Sequence, residues 1–390
     1  MSMFMPASGL HMIAALPLLV WVYLLFARGG FWRLGEIAAD SASAAAAPAR
    51  KVIVIIPARN EALLIGAALR SLARQVYNGL IHVVVIDDDS SDGTAQAALA
   101  AARACGAESR LTVIHGTALP RGWTGKLWAL SQGVAAAAPF DPDYLLLTDA
   151  DIEHGPASVE SLVADAEAHG RHLVSHMVRL STGTAAERLL IPAFVFFFFK
   201  LYPPAWVGAS RRKTAAAAGG CILIRPQALA RIGGLQAIRS SIIDDCALAR
   251  AVKASGGRLS LKLARDTRSL RTPGSSAAIG AMISRTAFAQ LRHSYLALAG
   301  TLLGLFLTYL LAPTLIFLGD PLAALLGLAA LLLMSLAYLP MIRFYGLATP
   351  WCLCLPLIVV LYAGAVLHSV VQYNRGRGGD WKGRMQDSVD

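Results

Sequence analysis

The chain has 390 residues, of which 56% are hydrophobic and only 15% are charged, and its formal net charge is +11. A water-soluble domain has about 25% charged and 45–50% apolar residues, so this composition excludes an ordinary soluble enzyme. The mean hydropathy of +0.55 indicates segments that lie in lipid. The basic excess suits anionic lipid headgroups or a diphosphate substrate. The sequence has no zinc-finger spacing and no basic helix, which argues against a nucleic-acid partner.

Residues 1–35 are predicted to form an N-terminal membrane anchor. Residues 9–26 carry no charge over close to the ~20 residues that a spanning helix needs. Arg28 and Arg33 follow this run, which favours a retained anchor over a cleaved signal peptide. By the positive-inside rule, these arginines place the next domain in the cytoplasm. Residues 36–50 are rich in Ala and Ser, which is typical of a linker.

Residues 51–296 are predicted to form one α/β domain. Unbroken apolar runs such as VIVII, HVVVI and YLLL alternate with segments of helical periodicity. This alternation predicts βαβ units and a mainly parallel sheet, whose buried strands are apolar on both faces. Right-handed crossovers place the carboxyl ends of parallel strands at one edge. Ligands bind at that edge in open sheets of this kind.

The C-terminal part is predicted to be membrane-embedded over residues 297–374, with a basic tail over 375–390. Three uncharged stretches, 297–318, 322–341 and 351–373, have spanning length. Three spans would leave the basic tail outside, against the positive-inside rule, so either one stretch is re-entrant or the number of spans differs. The apolar segment 188–206 is broken by prolines and a lysine, which favours an interfacial segment over a span. A buried core helix is the alternative.

Two polar motifs follow the first two predicted strands. In PARNE, Pro57 is expected to stop the strand, with Asn60 and Glu61 at the start of a helix; alone, this is ordinary helix capping. In IDDDSSDGT, consecutive carboxylates from Asp87 onward repel one another unless a cation or hydrogen-bond donors meet them. The motif has more carboxylates than helix capping needs. This excess favours a ligand that carries hydrogen-bond donors, such as a base N–H and ribose hydroxyls.

Two further acidic motifs indicate metal binding and acid–base chemistry. Asp149 and Asp151 lie one residue apart after a buried strand, where their oxygens suit a hard cation whose other ligands come from a diphosphate. Mg²⁺ or Mn²⁺ therefore fits better than Zn²⁺, which prefers His and Cys. Asp244 and Asp245 precede a helix. They are either helix-capping acids or a general base with its neighbour.

Positive charge for a departing diphosphate is available from Lys126, Arg285 and Arg292. The pair Gly219-Gly220 is expected where a ligand approaches the backbone closely. The sequence contains no GxxxxGK[ST], GxGxxG, GxSxG or HExxH motif. P-loop NTPases, dinucleotide oxidoreductases, serine hydrolases and zincins therefore have no motif support.

The ordered motifs PARNE, IDDDSSDGT, TDAD, GGCILIR and IIDDCAL resemble those of family-2 glycosyltransferases. The fuller pattern, with GWTGKLWAL, the phenylalanine-rich patch, RTAFAQLRHS and GRGGDWKGR, is similar to the hopene-associated glycosyltransferases of bacterial hopanoid gene clusters. The resemblance implies an A-type nucleotide-diphospho-sugar transferase domain with transmembrane helices at both ends. It also implies a multi-pass protein of the bacterial inner membrane whose catalytic domain faces the cytoplasm.

The resemblance further implies roles for individual residues. Asp88 would contact the uracil of a UDP-sugar, Asp149 the ribose or metal, and Asp151 the metal, while Asp245 would be the base with Asp244 beside it. The full predicted donor and substrate set is Pro57, Arg59, Asn60, Glu61, Asp87, Asp88, Lys126, Asp149, Gly219, Gly220, Gln290 and Arg292. Processive members carry QxxRW; here Gln290 is kept but Arg-Trp is replaced by His-Ser, which favours single transfer.

The sequence therefore predicts inverting transfer from a UDP-sugar to the hydroxyl of a membrane lipid, a hopanoid or a related molecule. A polyprenyl-phosphate sugar transferase is the enzymatic alternative, because it would use the same donor site. A catalytically inactive membrane scaffold with a nucleotide-sugar fold is the non-enzymatic one. A channel or transporter is disfavoured because the spans lack intramembrane charges.

Overall fold

The computed structural model describes residues 7–34, 37–38 and 48–376. The strands are β1 Val52–Ala58, β2 Ile81–Asp87, β3 Leu111–His115, β4 Tyr144–Thr148, β5 Ile152–Glu153, β6 Leu173–Arg179, β7 Cys221–Ile224 and β8 Leu259–Ser269. The helices are α1 Ala7–Ala27, α2 Ile65–Ala73, α3 Thr94–Ala104, α4 Gly125–Ala137, α5 Ser158–Ala168, α6 Ala185–Leu201, α7 Pro204–Gly208, α8 Pro226–Arg231, α9 Asp244–Ala254, α10 Ser276–Gln290, α11 Tyr295–Leu305, α12 Leu311–Ile316, α13 Pro321–Phe344 and α14 Leu355–Asn374. Most of the predicted linker 36–50 and of the basic tail 375–390 lies outside the described residues.

The described residues form two compact units whose segments alternate along the chain. The α/β unit contains β1 to β6 up to Ser181 and then Trp206–Thr272. The helical unit contains α1, the segment Thr182–Ala205 and the helices that follow Pro273. Neither unit is therefore a single continuous stretch of sequence.

The α/β unit is built on one sheet of eight strands, in the order β3-β2-β1-β4-β7-β6-β8-β5. The neighbours β3, β2, β1 and β4 are parallel, as are β6 and β8. Strand β7 is antiparallel to both β4 and β6, and the short β5 is antiparallel to β8. The prediction of a mainly parallel sheet is confirmed, with β7 and the short β5 as the reversed strands.

Apolar side chains explain why β1, β2 and β4 occupy the centre of the sheet. Every residue of these three strands is buried, as expected for strands covered on both faces. Gly133 of α4 lets this helix approach the sheet, because a Cβ there would lie 2.4 Å from Ile55 Cγ2 and 2.6 Å from Ile86 Cδ1. The helix and the strands thus form one packed core.

Pro57 lies inside β1 and does not end it, so that detail of the sequence prediction is wrong. Pro57 pairs with Ile86 of β2. The Val52 N–H donates to the Leu80 carbonyl, and the Ala58 carbonyl accepts from the Asp88 N–H. The backbone groups of even-numbered residues of β1 therefore form their hydrogen bonds on the side of β2. Pro57 therefore faces β4, where pairing has already ended at Ile55. Its missing N–H removes no bond from the sheet.

The helical unit contains long apolar helices. The described residues include five helical stretches long and apolar enough to cross a membrane: Gly9–Ala27, Ala185–Gly208, Tyr295–Ile316, Pro321–Phe344 and Thr349–Asn374. Within the unit, the Trp21 indole donates to the Thr308 carbonyl at 2.8 Å. Helix α6 begins with a capping box in which Thr184 and Glu187 exchange hydrogen bonds.

Candidate active site

The site lies at the carboxyl edge of the parallel strands. Because β1 pairs in parallel with both β2 and β4, the segments that follow these strands emerge at the same edge. Those segments carry three of the four acidic or polar motifs predicted from the sequence. The fourth, Asp244-Asp245, begins α9, and Gly219 precedes β7.

Lys126 lies among three carboxylates at this edge. Its Nζ is 2.9 Å from Asp149 Oδ1 and 3.5 Å from Asp244 Oδ2. Thr124 caps α4 and so fixes the first helical turn, which carries Lys126. Burial alone would lower the pKa of Lys126, but the carboxylates of Asp149, Asp244 and Asp245 outweigh it and leave that pKa raised. The lysine is therefore a permanent cation at neutral pH.

Asp245 is buried and held by backbone N–H groups. Its Oδ2 accepts from Gly219 N at 2.9 Å and its Oδ1 from Cys246 N at 2.6 Å. Burial, together with the neighbouring Asp244 carboxylate, raises the pKa of Asp245 to about 6, although Lys126 opposes the shift. A carboxyl group whose pKa lies near neutrality is suited to take and give up a proton.

Gly219 leaves space for two charged side chains of the site. A Cβ there would lie 3.3 Å from both Asp245 Oδ2 and Lys126 Nζ. The space in front of Gly219 thus holds the two charged side chains. The next residue, Gly220, accepts a hydrogen bond from the Thr148 hydroxyl at 2.7 Å, which ties the end of β4 to the start of β7.

These groups line one cleft. Its charged and glycine lining residues are Lys126, Asp149, Gly219, Asp244 and Asp245. Leucine and isoleucine side chains form most of the remaining wall. Five residues predicted from separate parts of the sequence are therefore brought together.

Asp151 belongs to a second cluster, beside the cleft but outside its lining. Its Oδ2 accepts from the Ser269 hydroxyl at 2.8 Å and lies 3.4 Å from Arg271 Nε. The same guanidinium donates from Nη2 to Glu61 Oε1 at 2.6 Å. Ser269 and Arg271 were not found from the sequence. The only signal was the basic run RDTRSLR, which a solvated surface strand would also show.

The loops after β1 and β2 are joined by side-chain hydrogen bonds. Arg59 Nη1 donates to the Asp89 carbonyl at 3.1 Å and also to the Asp88 carbonyl. Asn60 Oδ1 accepts from Ser91 N at 2.9 Å, and Asp87 Oδ1 accepts from Ser90 N at 3.1 Å. Arg59, Asn60 and Asp87 thus shape this part of the edge, and the Asp88 side chain is buried beneath it.

Asp92 shows why not every acid in this loop is available to a ligand. Its Oδ2 accepts from Ala62 N and its Oδ1 from Thr94, both at 3.0 Å through the backbone. Burial alone would raise its pKa, but the hydrogen bonds from Thr94 and Ala62 outweigh it and the pKa is lowered. Asp92 remains ionised and fixes the loop.

Gln290 and Arg292 are placed in the helical unit. Gln290 is the last residue of α10 and its amide donates to the Tyr202 hydroxyl at 2.5 Å. Arg292 follows in a left-handed backbone conformation with φ of 54°. Their predicted contact with substrate stays a prediction.

The carboxylates at the edge suit a divalent cation only together with further ligands such as a diphosphate. Among residues 7–34, 37–38 and 48–376, no three or more His, Cys, Asp or Glu side chains are grouped to hold a metal ion. Asp149 and Asp151 supply hard carboxylate oxygens, and each is matched with an internal cation. A cation held there would need further oxygen ligands, which a bound diphosphate would supply.

Residues 53–233 match the family model described as Glycosyl transferase family 2. The chain thus carries a glycosyltransferase domain, and the predictions of an enzyme and of an A-type glycosyltransferase fold are confirmed. An uncharacterized protein of Methanocaldococcus jannaschii is 31% identical over 113 residues, which is 29% of this chain and 40% of that protein. The chain therefore matches less than half the length of this relative.

One solved structure shows the likeness of the fold, and a second is similar at a lower TM-score. A mannosyltransferase from Pyrobaculum calidifontis, in complex with GDP-Man and Mn²⁺, is similar with a TM-score of 0.53 at 20% identity. The alignment covers 93% of this chain and 99% of that one. Glucosyl-3-phosphoglycerate synthase from Mycobacterium tuberculosis, in complex with Mn²⁺, UDP and phosphoglyceric acid, has a TM-score of 0.35 at 20% identity. That alignment covers 59% of this chain and 72% of the synthase.

Proposed function

We propose that this protein is a membrane-bound glycosyltransferase that moves a sugar from a UDP-sugar to the hydroxyl of a lipid, with inversion. The cleft that joins Lys126, Asp149, Asp244 and Asp245 at the sheet edge carries the proposal. It combines a carboxyl group of raised pKa with a buried cation. Proton removal from an acceptor and stabilisation of a leaving diphosphate need these two kinds of group.

Asp245 is proposed as the general base. It removes the proton from the acceptor hydroxyl as the oxygen attacks the anomeric carbon from the face opposite the diphosphate. The N–H groups of Gly219 and Cys246 hold both its oxygens, so its orientation is fixed before substrate binds. Asp244 contacts Lys126 and keeps the lysine next to the reacting groups.

Lys126 is proposed to stabilise the negative charge of the departing diphosphate. Its ammonium group stays charged because the neighbouring carboxylates raise its pKa. Asp149 and Asp151 would hold Mg²⁺ or Mn²⁺, which supplies further positive charge to the diphosphate. Asp88 is proposed to contact the base of the nucleotide, as the family resemblance implies.

The acceptor is proposed to be a hopanoid or a related membrane lipid. Five apolar helical stretches support membrane attachment, and a polycyclic lipid does not leave the bilayer at useful concentration. Segment Ala185–Gly208 has spanning length, but the chain on both sides of α6 belongs to the α/β unit. A single crossing would put these two parts of one unit on opposite sides of the membrane. The connectivity therefore supports the predicted interfacial location of residues 188–206.

The proposed location is the bacterial inner membrane, with the α/β unit in the cytoplasm. Arg28 and Arg33 directly follow α1, and the positive-inside rule puts such residues on the cytoplasmic side. Phe196, one of the aromatic residues in the predicted interfacial patch, is buried against Phe31 and Tyr338. Its neighbour Phe198 is only partly buried, so Phe198 is the better candidate for contact with the acceptor.

Transfer of radiolabelled sugar from a UDP-sugar into a lipid extract tests the proposal. The wild type should label a lipid, and Asp245→Asn should abolish labelling while UDP still binds. Lys51→Met is the control, because the Lys51–Asp141 pair is exposed and lies outside the site. Full activity of Asp245→Asn would remove the base and favour a polyprenyl-phosphate acceptor, whose phosphate is already ionised. Failure of the wild type to bind any nucleotide sugar would refute the function.

A further inference from the structure

Arg271 joins two acidic side chains that come from distant parts of the sequence. Its guanidinium contacts Glu61 through Nη2 at 2.6 Å and Asp151 through Nε at 3.4 Å. The side chains of Glu61 and Asp151 are 8% and 12% exposed, whereas that of Arg271 is 48% exposed. A half-exposed arginine thus lies over two nearly buried carboxylates.

The position of Arg271 conflicts with a metal ion on Asp151. The guanidinium and the Ser269 hydroxyl both contact Asp151 Oδ2, one of the two oxygens that a divalent cation would take. A cation and a guanidinium carry the same sign of charge, so a metal ion close to this carboxylate repels Arg271. Because the arginine is half exposed, its side chain is free to turn toward solvent or toward a new anion.

A diphosphate provides that anion. Guanidinium groups bind phosphate oxygens through two parallel hydrogen bonds, and such bonds are among the strongest in proteins. The metal ion would bring the diphosphate next to Asp151, within reach of the displaced side chain. Lys126 shows the same arrangement on Asp149, with its ammonium 2.9 Å from Oδ1. Each carboxylate of the predicted metal site is therefore paired with an internal cation.

We propose that Arg271 is a donor-binding residue, which holds Asp151 and Glu61 in the free protein and moves to the diphosphate when metal and nucleotide bind. The proposal rests on the proposed nucleotide-sugar donor. It follows that metal and nucleotide bind cooperatively. A metal ion that binds alone displaces Arg271 from Asp151 and leaves the guanidinium without an anion. When a diphosphate binds with the metal ion, it provides that anion. By linkage, the nucleotide then strengthens metal binding by the same factor as the metal strengthens nucleotide binding.

Mn²⁺ binding to the full chain in lipid nanodiscs, measured by electron paramagnetic resonance with and without UDP, tests this proposal. Arg271→Gln should bind Mn²⁺ alone about tenfold more tightly than wild type, because one positive charge next to a divalent ion is removed. With saturating Mn²⁺, the variant should bind UDP about tenfold more weakly, since a charged hydrogen bond to phosphate is lost. Arg271→Lys should restore wild-type Mn²⁺ affinity in large part.

Arg268→Gln is the matched control. Arg268 lies on β8, three residues before Arg271, and pairs with Glu153 at 2.6 Å, so its loss removes the same charge without touching Asp151. The proposal is overturned if Arg271→Gln matches Arg268→Gln in Mn²⁺ affinity and in the effect of UDP, or if it binds Mn²⁺ alone more weakly than wild type. A wild type that binds neither Mn²⁺ nor UDP would overturn the proposed function as well.

Discussion

Replacement of Lys126 by methionine tests the electrostatic balance of the cleft. Methionine keeps much of the length of the side chain but removes the charge, so Asp149, Asp244 and Asp245 lose their shared cation. The Lys126 side chain is 18% exposed and that of Asp244 is 21% exposed. Removal of one partner from a buried ion pair costs about 3–5 kcal/mol. The cleft is partly open, so we expect the free energy of unfolding to fall by an amount near the lower limit, ~3 kcal/mol.

The loss should depend on pH in a defined direction. Lys126 is charged throughout the range from pH 5 to 9, because its pKa is raised, so the dependence comes from the carboxylates. Burial and Asp244 already raise the pKa of Asp245 to about 6, and the pKa rises further without Lys126. At pH 5 this carboxyl group takes up a proton and the repulsion falls. The destabilisation should therefore be largest above pH 7 and smaller at pH 5.

Thermal unfolding of the full chain in detergent, followed from pH 5 to 8, measures this effect. For a unit of this size, ~3 kcal/mol corresponds to a decrease in melting temperature of about 6–12 °C. Lys51→Met is the control; its exposed pair with Asp141 should contribute less than about 1 kcal/mol. A decrease for Lys126→Met that is equal at pH 5 and pH 8, or no larger than that of the control, would refute the reasoning.

Three further predictions concern other residues. The rate of sugar transfer should rise with pH through about 6, because Asp245 acts only when ionised and its pKa is raised to about 6; a flat kcat/KM profile from pH 5 to 8 would exclude it as the base. Thr184→Ala should destabilise the helical unit by about 1 kcal/mol through loss of the α6 cap, seen as a lower melting temperature with unchanged UDP binding. Gly219→Ala should reduce transfer, since a Cβ would lie 3.3 Å from Asp245 Oδ2, whereas Gly280→Ala, with no neighbour within 4 Å, should leave transfer unchanged.

The parts of the fold with strong local signals were predictable from the sequence. Strands β1, β2 and β4 are unbroken apolar runs, and such runs favour strands buried in a parallel sheet. The acids that follow them were placed at one edge by the topology of the sheet alone. Asp149 lies in the cleft for this reason. Lys126, Asp244 and Asp245 reach the same cleft from the first turns of α4 and α9, although the cleft residues are up to 119 positions apart (126 to 245).

The second cluster was not predictable, for physical reasons. Arg271 follows β8, an eleven-residue strand. Buried and exposed residues follow one another without a regular period at the end of this strand, so the local sequence shows neither strand nor helix periodicity. Its partner Glu61 is 210 positions away. Pairing across such a distance depends on how β8 joins the sheet beside β6, and no local pattern encodes that order.

Pro57 shows a different limit. A proline in an apolar run normally predicts the end of a strand, because it lacks an N–H group. In β1, an N–H group at position 57 would point toward β4, where strand pairing stops at Ile55. The strand therefore continues, and only knowledge of which neighbour each residue faces would have shown it.

The alternation of the two units along the chain has a practical consequence for work with the enzyme in water. A fragment cut from before β1 to Thr272 would still contain Thr182–Ala205 and with it the phenylalanine-rich α6, but it would lack Phe31 and Tyr338, against which Phe196 is buried. Such a fragment would expose a large apolar surface and aggregate. A soluble version therefore requires that α6 be replaced by a polar connection between Ser181 and Trp206, which is an internal replacement and not a truncation.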